Sequence, residues 1–286
     1  MLKPELLRIE NHLGALMGER NPHSSPESLK RCADYIADQF RRSQLTVQEE
    51  QVPFEAGASD NILGYKKGTA GDLDPFVLAA HYDTVEGSPG ADDNTSAVAA
   101  LLETAHCLQS VPLKTPLVFA AFTLEEYGFL GSHHHIVEAK KNNKGFCGMI
   151  SLEMVGYRDS TPGSQSYPVY VDPTRYPDTG DFIAVVGNEP SSKLAHQITE
   201  GMRASEPALP IEQLIVPGQG DEFTEVRLSD HSPFWEHGIP AIMITDTAFF
   251  RNPNYHQASD TLDTLDLDFI RDTTEAVVGF LKRHLT

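Results

Sequence analysis

Side chains that commonly bind metals occur where three predicted buried strands end. The strand predicted at 76–80 is followed by His81 and Asp83, the strand Leu117–Phe122 by Glu125 and Glu126, and the strand at 149–152 by Glu153. In an open α/β sheet the ligand crevice lies beyond the carboxyl ends of the strands, so one crevice would collect these groups. A solvated charged loop explains any one of these strand ends, but three in succession favour a cation site.

The first of these strand ends carries His81 and Asp83, whose side chains point to the same side of an extended backbone. One side chain can bind a cation while the other keeps the first in its binding orientation, because a His ligand usually donates its second ring N–H to a carboxylate or carbonyl. The carboxylate pair Asp92 and Asp93 follows, directly before a helical pattern. A hydrogen-bonded core histidine with an ordinary helix N-cap explains these residues equally well.

Glu125 and Glu126 are adjacent, so their side chains diverge, and one can bind a cation while the other faces a substrate as a base. An acidic pair that opens a helix is the alternative interpretation. His256 lies in a Pro- and Asn-rich loop without apolar periodicity, so it is a candidate nitrogen ligand. His231 is a weaker candidate because it opens a predicted helix. The histidines at 133–135 point in different directions on a helix and predict a solvated face.

The elements that position these residues alternate between strands and helices. Predicted strands cover Thr46–Phe54, 61–65, 76–80, Leu117–Phe122, 149–152, 183–187, Ile211–Val216 and Ala241–Thr245. Apolar residues at helical spacing predict helices over 27–43, 95–108, 130–141, 194–202 and 269–281. This alternation is typical of an α/β protein with a largely parallel sheet. No linker or internal repeat divides the pattern, so residues 1–286 are expected to form one domain.

The composition excludes several classes of partner. The chain has 41 acidic and 22 basic residues and a formal net charge of −19, which argues against nucleic acid and against an anionic membrane surface. Cys32, Cys107 and Cys147 are too few and too dispersed for a disulfide framework or a Cys-based zinc site. No signal peptide or membrane span is visible, so a soluble protein is expected, cytoplasmic or, after loss of a leader, secreted. Nothing in the sequence indicates the oligomeric state.

Short motifs follow one another in a characteristic order along the chain. They are His81-Tyr82-Asp83, Gly90-Ala91-Asp92-Asp93-Asn94, Glu125-Glu126-Tyr127-Gly128, Leu152-Glu153-Met154-Val155-Gly156-Tyr157, Ser229-Asp230-His231, Tyr255-His256 and Ser259-Asp260-Thr261. This ordered set resembles the co-catalytic dizinc aminopeptidases of the MH clan, which are related to glutamate carboxypeptidase II and the glutaminyl cyclases. The resemblance covers about residues 27–284. It implies a single three-layer α/β/α sandwich around a mixed, largely parallel sheet.

The resemblance also implies a ligand set for two zinc ions, with cobalt or manganese as alternatives. Asp93 would bridge the ions, Glu126 and His256 would complete the ligands of one ion, and His81 and Glu153 would complete those of the other. The best-known members commonly carry Asp at the position of Glu153. The longer side chain here changes the reach of this ligand and predicts weaker binding of the second ion.

Three further residues receive roles from the same resemblance. Asp83 would brace His81, Glu125 would act as the general base that takes a proton from the attacking water, and Asp230 would lie near the site. A desolvated, acidic site favours this role for Glu125 because it raises the pKa of a carboxyl group toward neutrality.

These expectations favour an aminopeptidase that acts on peptides with a free N-terminus, because a carboxylate-rich crevice attracts an α-ammonium group. A carboxypeptidase needs Arg or Lys at the crevice, for which Arg158, Arg227 and Arg251 are the candidates. A glutaminyl cyclase, with one zinc on a similar fold, is the main alternative, and a catalytically inactive binding domain is a third. The irregular regions 156–181 and 217–228 are expected to form the specificity pocket.

Overall fold

The structure is a computed structural model that describes residues 2–55 and 57–286. Its strands are β1 (Thr46–Phe54), β2 (Gly57–Lys66), β3 (Phe76–His81), β4 (Leu117–Phe122), β5 (Gly148–Glu153), β6 (Ile183–Asn188), β7 (Ile211–Val216) and β8 (Ala241–Thr245). Its α-helices are α1 (Leu6–Leu16), α2 (Pro26–Arg42), α3 (Ala97–Leu108), α4 (Leu130–Lys141), α5 (Ser192–Ser205), α6 (His231–Glu236) and α7 (Leu267–Leu285). Shorter helical turns occur in the connections.

The eight strands form one mixed sheet in the order β1-β2-β4-β3-β5-β8-β6-β7. Strands β4, β3, β5 and β8 are parallel neighbours in the middle of the sheet. At one edge β2 runs antiparallel to β4, and β1 runs antiparallel to β2. On the other side β6 runs antiparallel to β8 and parallel to β7. The predicted mixed, largely parallel sheet is confirmed. The carboxyl ends of its four parallel central strands lie side by side at one end of the sheet.

The central strands are covered on both faces, and apart from their last residues their side chains are almost all apolar. All six residues of β3 and of β4 are buried. One face of the sheet packs against α1, α2, α3, α5 and α7, and the other packs against α4 and α6. Cys32 and Cys107 are buried in the first layer, as their positions on apolar helix faces predict. The predicted three-layer α/β/α sandwich is therefore confirmed.

Two local predictions differ from the structure. Helix α1 was not predicted, and it buries Ile9, Leu13 and Leu16 against α3 and α7. The expectation of a solvated face at residues 133–135 is wrong at His135, which is 5% exposed. Its Nδ1 lies 3.1 Å from the Glu50 carboxylate, because this face of α4 packs against the sheet. Among the described residues, no helix combines the length and apolar character needed to span a bilayer.

Candidate metal centre

Five predicted ligands converge at the carboxyl ends of the parallel strands. His81 is the last residue of β3, and Glu153 is the last residue of β5. Glu126 lies in the helical turn that follows β4, and Asp93 lies in the turn that follows β3. His256 comes from the long loop between β8 and α7. The parallel sheet thus brings together side chains that are up to 175 positions apart along the chain (81 to 256).

Asp93 lies between the two histidines and presents a different oxygen to each. Its Oδ1 is 3.3 Å from Nε2 of His81, and its Oδ2 is 3.2 Å from Nε2 of His256. Asp93 is 3% exposed. This is the arrangement that a carboxylate shared by two cations requires.

Each histidine faces one further carboxylate. Nε2 of His81 is 3.4 Å from Oε1 of Glu153, and Nε2 of His256 is 3.3 Å from Oε2 of Glu126. Potential ligand atoms of His81, Asp93 and Glu153 lie within 4.8 Å of one another, as do those of Asp93, Glu126 and His256. The structure therefore places all five residues in the two groups that the sequence resemblance implies.

The donor atoms are arranged as metal ligands are, and two of them have no hydrogen-bond partner in the described part of the chain. Nε2 of His256 is buried and makes no hydrogen bond despite its two carboxylate neighbours, and Oε1 of Glu126 is likewise buried and unbonded. A buried polar atom without a partner carries a free-energy cost of about 1–3 kcal/mol, which a bound cation removes. Two imidazoles and three carboxylates are donors that zinc accepts. The residues present fit a zinc site.

The acidic residues of this cluster titrate abnormally because they are buried close together. Burial raises the pKa of Glu125 well above its usual range, and the charges of Glu153 and Glu126 add to this effect. Burial also raises the pKa of Glu126 to about 7. Burial lowers the pKa of His256, but Asp93 and Glu126 outweigh this effect and raise it to about 10. Positive charge is therefore strongly favoured at this site.

Asp83 has a different set of contacts from the one expected. Nδ1 of His81 is 3.2 Å from the backbone carbonyl of Asp83 and 3.6 Å from its carboxylate, so the carbonyl accepts the imidazole N–H. The Asp83 carboxylate instead accepts the backbone N–H groups of Glu125 and Glu126, at 3.1 and 3.3 Å. Its backbone orients a ligand, and its side chain positions the loop that carries Glu125.

Three other residues support the ligands or the loops that carry them, and no role was predicted for them. The Asp260 carboxylate accepts the backbone N–H groups of Asp92 and Asp93, at 2.9 and 3.1 Å. Asn94 donates its side-chain amide to the Leu152 carbonyl at 3.1 Å. The Ser229 hydroxyl donates to Oε2 of Glu153 at 2.8 Å. All three residues lie in the quoted motifs, but their contacts depend on loops that meet only in the folded chain.

The loops around the site adopt backbone conformations that are uncommon for their residues. Leu124 and His256 have φ values of +58° and +59°, in the left-handed region that most side chains avoid. Gly90 has φ +63°, and a Cβ there would lie 2.4 Å from the Asp93 carbonyl. Such conformations persist where the surrounding contacts enforce them, and they often occur at functional sites.

The segment Ser229-Asp230-His231 contributes no imidazole to the cluster. Nε2 of His231 is 2.8 Å from the Val226 carbonyl, the ring packs edge-on against Trp235, and the residue belongs to none of the converging ligand groups of the described residues. Asp230 is fully buried, and burial raises its pKa to about 7. His231 is therefore excluded as a ligand, and Asp230 remains a buried neighbour of the site.

A cavity of about 300 Å³ opens beside the metal centre. Its walls come from residues 165–182, 212–228 and 243–250, which overlap the two irregular regions predicted to form the pocket. No Arg or Lys of the described chain lines it. The three arginines considered above are engaged elsewhere: Arg158 with Asp266, Arg227 with Asp221 and Glu236, and Arg251 with Gln165 and the Phe182 carbonyl.

An α/β sheet that holds two histidines around a shared carboxylate, next to a pocket, is the arrangement of a metal-dependent hydrolase. Residues 61–281 match the family described as Peptidase family M28. The chain belongs to this family, and it is a hydrolase that acts on peptides.

Relatives with this architecture include aminopeptidases. "Uncharacterized protein YfbL" of Escherichia coli K12 is 38% identical over 268 residues, which are 89% of this chain and 80% of that protein. Aminopeptidase YwaD of Bacillus subtilis 168 is 28% identical over 254 residues, 82% of this chain, and the match spans 48% of YwaD. The chain thus spans about half the length of that curated aminopeptidase.

Solved structures share the fold at lower identity. The LapA aminopeptidase of Legionella pneumophila superposes with a TM-score of 0.74 and 20% identity, over 97% of this chain and 71% of LapA. Porphyromonas gingivalis glutaminyl cyclase superposes with a TM-score of 0.73 and 19% identity, over 98% of this chain and 97% of the cyclase. These two likenesses concern the fold alone. The family and the aminopeptidase relatives support the peptidase interpretation better than the cyclase one.

Proposed function

We propose that this chain is a zinc-dependent aminopeptidase that binds two zinc ions and removes residues from the free N-terminus of peptides, with residues 1–286 forming one catalytic domain. The observation that carries the proposal is the position of Asp93, whose two carboxylate oxygens face two different histidines. A single-ion site needs no such sharing. Cobalt or manganese could replace zinc on this donor set.

Each ion would have its own ligands besides the shared Asp93. His81 and Glu153 would hold one, and Glu126 and His256 would hold the other. When bound, the ions supply positive charge that lowers the pKa of a water molecule and polarises the peptide carbonyl.

Glu125 is the proposed general base. Its carboxylate is 8% exposed, and Oε2 lies 4.0 Å from Nε2 of His81, so it faces the ligand cluster. It would accept a proton from the water that attacks the peptide carbonyl and then deliver that proton to the departing amine nitrogen. Asp83 supports this role by fixing the backbone N–H of Glu125.

The charge distribution supports N-terminal rather than C-terminal cleavage. The site concentrates carboxylates, which attract the α-ammonium group of a peptide. Recognition of a C-terminal carboxylate would need a cation near the cavity, and Arg158, Arg227 and Arg251 are all held by other groups.

Glutaminyl cyclization is the second candidate function, favoured by the match of nearly the whole chain to a glutaminyl cyclase fold. A cyclase uses one zinc ion, whereas the groups around His81 and around His256 would provide for two. A binding protein without activity is disfavoured because every expected ligand position carries a competent side chain.

The test uses aminoacyl-anilides and an N-terminal Gln peptide as substrates. The wild-type protein should hydrolyse the anilides, lose this activity on chelation and regain it with zinc. Glu125→Gln should keep its zinc and lose at least a hundredfold in kcat, because the base is gone and the ligands remain. Glu86→Gln, an exposed glutamate, is the matched control. Normal hydrolysis by Glu125→Gln would remove this residue from the mechanism, and ammonia release from the Gln peptide without anilide hydrolysis would favour the cyclase.

A further inference from the structure

We propose that the cavity beside the metal centre selects peptides whose N-terminal residue is Lys or Arg, with Glu212 as the partner of the cationic tip. This inference rests on the proposed aminopeptidase function and specifies its substrate class.

The sheet register places Glu212 in the same row as a predicted zinc ligand. Glu153 pairs with Thr245, Thr245 pairs with Ala184, and Ala184 pairs with Glu212. Paired residues of neighbouring strands project from the same face of a sheet. The four side chains therefore form a line across the sheet, and all four line the cavity.

The length of this line fits a long substrate side chain. Three strand spacings separate the backbones of Glu153 and Glu212, roughly 14 Å in total. The two residues between them, Thr245 and Ala184, are small and leave a groove. A Lys side chain extends roughly 6 Å from its Cα and a Glu side chain roughly 4 Å, so the two together cover about 10 Å of this separation. A substrate residue held at the metal centre, a few ångströms along the row from Glu153, would then bring its tip to the Glu212 carboxylate.

The walls of the groove suit the aliphatic part of such a side chain. The adjacent row of the same face consists of Met243, Val186 and Leu214, and aromatic rings of Phe182 and Tyr167 close the cavity. Lys and Arg bury their methylene stems against apolar surfaces while the charged end keeps a polar contact.

Glu212 is the acidic residue of the far wall that lacks a partner. It is half-buried and makes no hydrogen bond or ion pair with the described residues, and burial raises its pKa although the charge of Arg203 acts in the opposite direction. The other wall glutamate, Glu225, accepts a hydrogen bond from the Tyr170 hydroxyl at 3.1 Å. Arg203 belongs to α5, on the opposite face of the sheet, and donates to the Ile211 carbonyl. A half-buried carboxylate without a contacting cation on its own side of the sheet is an incomplete pair, which a cationic substrate would complete.

The test compares lysyl- and norleucyl-anilides, whose side chains have the same stem and differ in the terminal ammonium group. The wild-type protein should have a kcat/KM at least tenfold higher for the lysyl substrate. Glu212→Gln should remove this preference and leave the norleucyl kcat/KM within about twofold of the wild-type value. Glu225→Gln, which changes the other wall glutamate, should keep the preference.

The outcomes separate this inference from the proposed function. Hydrolysis of the norleucyl and leucyl substrates without a lysyl preference, or a preference that Glu212→Gln leaves unchanged, would overturn the inference while the aminopeptidase function stands. No hydrolysis of any anilide by the zinc-loaded protein would overturn both. An arginyl-anilide measured alongside should behave as the lysyl substrate does.

Discussion

Replacing Asp83 by Asn separates two ways in which this residue could act. The carboxylate of Asp83 accepts the backbone N–H groups of Glu125 and Glu126, and the backbone carbonyl of Asp83 accepts the N–H of His81. Asn keeps the backbone carbonyl and one side-chain oxygen. It replaces the other oxygen by an amide NH2, which repels the N–H group that it faces.

The expected loss can be worked out from these contacts. One hydrogen bond to a charged acceptor contributes about 1.5–3 kcal/mol. If loss of this hydrogen bond displaces Glu125 and raises the activation free energy by the same amount, kcat falls about ten- to a hundredfold, since each 1.36 kcal/mol is a factor of ten. Zinc affinity should fall less than kcat, because the backbone contact that orients His81 is kept and the side-chain oxygen of Asn can still accept one of the two N–H groups.

The assay measures kcat with an aminoacyl-anilide over a range of zinc concentrations up to saturation, together with zinc content after dialysis. Asp72→Asn, at an exposed loop position, is the control and should match the wild type in both. An unchanged kcat for Asp83→Asn would refute the assignment of the carboxylate to the Glu125 loop. A kcat that is low at subsaturating zinc and normal at saturation would show that Asp83 acts through a zinc ligand, His81 or Glu126, instead.

Two further predictions concern a ligand contact and a buried histidine. Ser229→Ala removes the hydroxyl that donates to Glu153 and should weaken binding of one of the two ions about tenfold, with the other unchanged, as measured by titration with zinc. Burial lowers the pKa of His231 to about 4, whereas its pKa in the unfolded chain is about 6.5. As the pH falls, the unfolded chain therefore takes up this proton before the folded protein does. The free energy of unfolding consequently decreases as the pH drops below about 6.5. Between pH 7.5 and 5 this histidine should cost about 2 kcal/mol of unfolding free energy, to be measured by urea unfolding of the wild type and of His231→Gln.

Each of these predictions has a result that would contradict it. Two ions bound by Ser229→Ala with wild-type affinities would show that the hydroxyl does not support Glu153. Equal loss of stability with falling pH in the wild type and in His231→Gln would show that His231 is not the group responsible. His12, whose pKa burial also lowers to about 4, is present in both proteins and cancels in this comparison.

The sequence predicted the strands, and it predicted which side chains converge at the strand ends, because both leave local signals. Apolar runs such as Leu117–Phe122 predict buried strands, and a charged residue directly after such a run is unusual unless it has a function. Helix α1 also left a local signal, since Leu6, Ile9, Leu13 and Leu16 recur at helical spacing, and it could have been predicted.

The contacts that support the ligands could not be predicted, because they join distant parts of the chain. The spacing of His81 and Asp83 shows that their side chains share a face, but the Asp83 carboxylate bonds to residues more than 40 positions away. The row from Glu153 to Glu212 depends on the strand order and on the reversed direction of β6. The local pattern contains neither.

If two zinc ions share the carboxylate of Asp93, anomalous diffraction from a crystal grown with zinc will locate both of them. We predict two zinc peaks, about 3.5–4 Å apart, one on each side of the Asp93 carboxylate. One peak should adjoin His81 and Glu153, and the other should adjoin Glu126 and His256. A single peak at zinc saturation, or two peaks that do not both contact Asp93, would contradict the account.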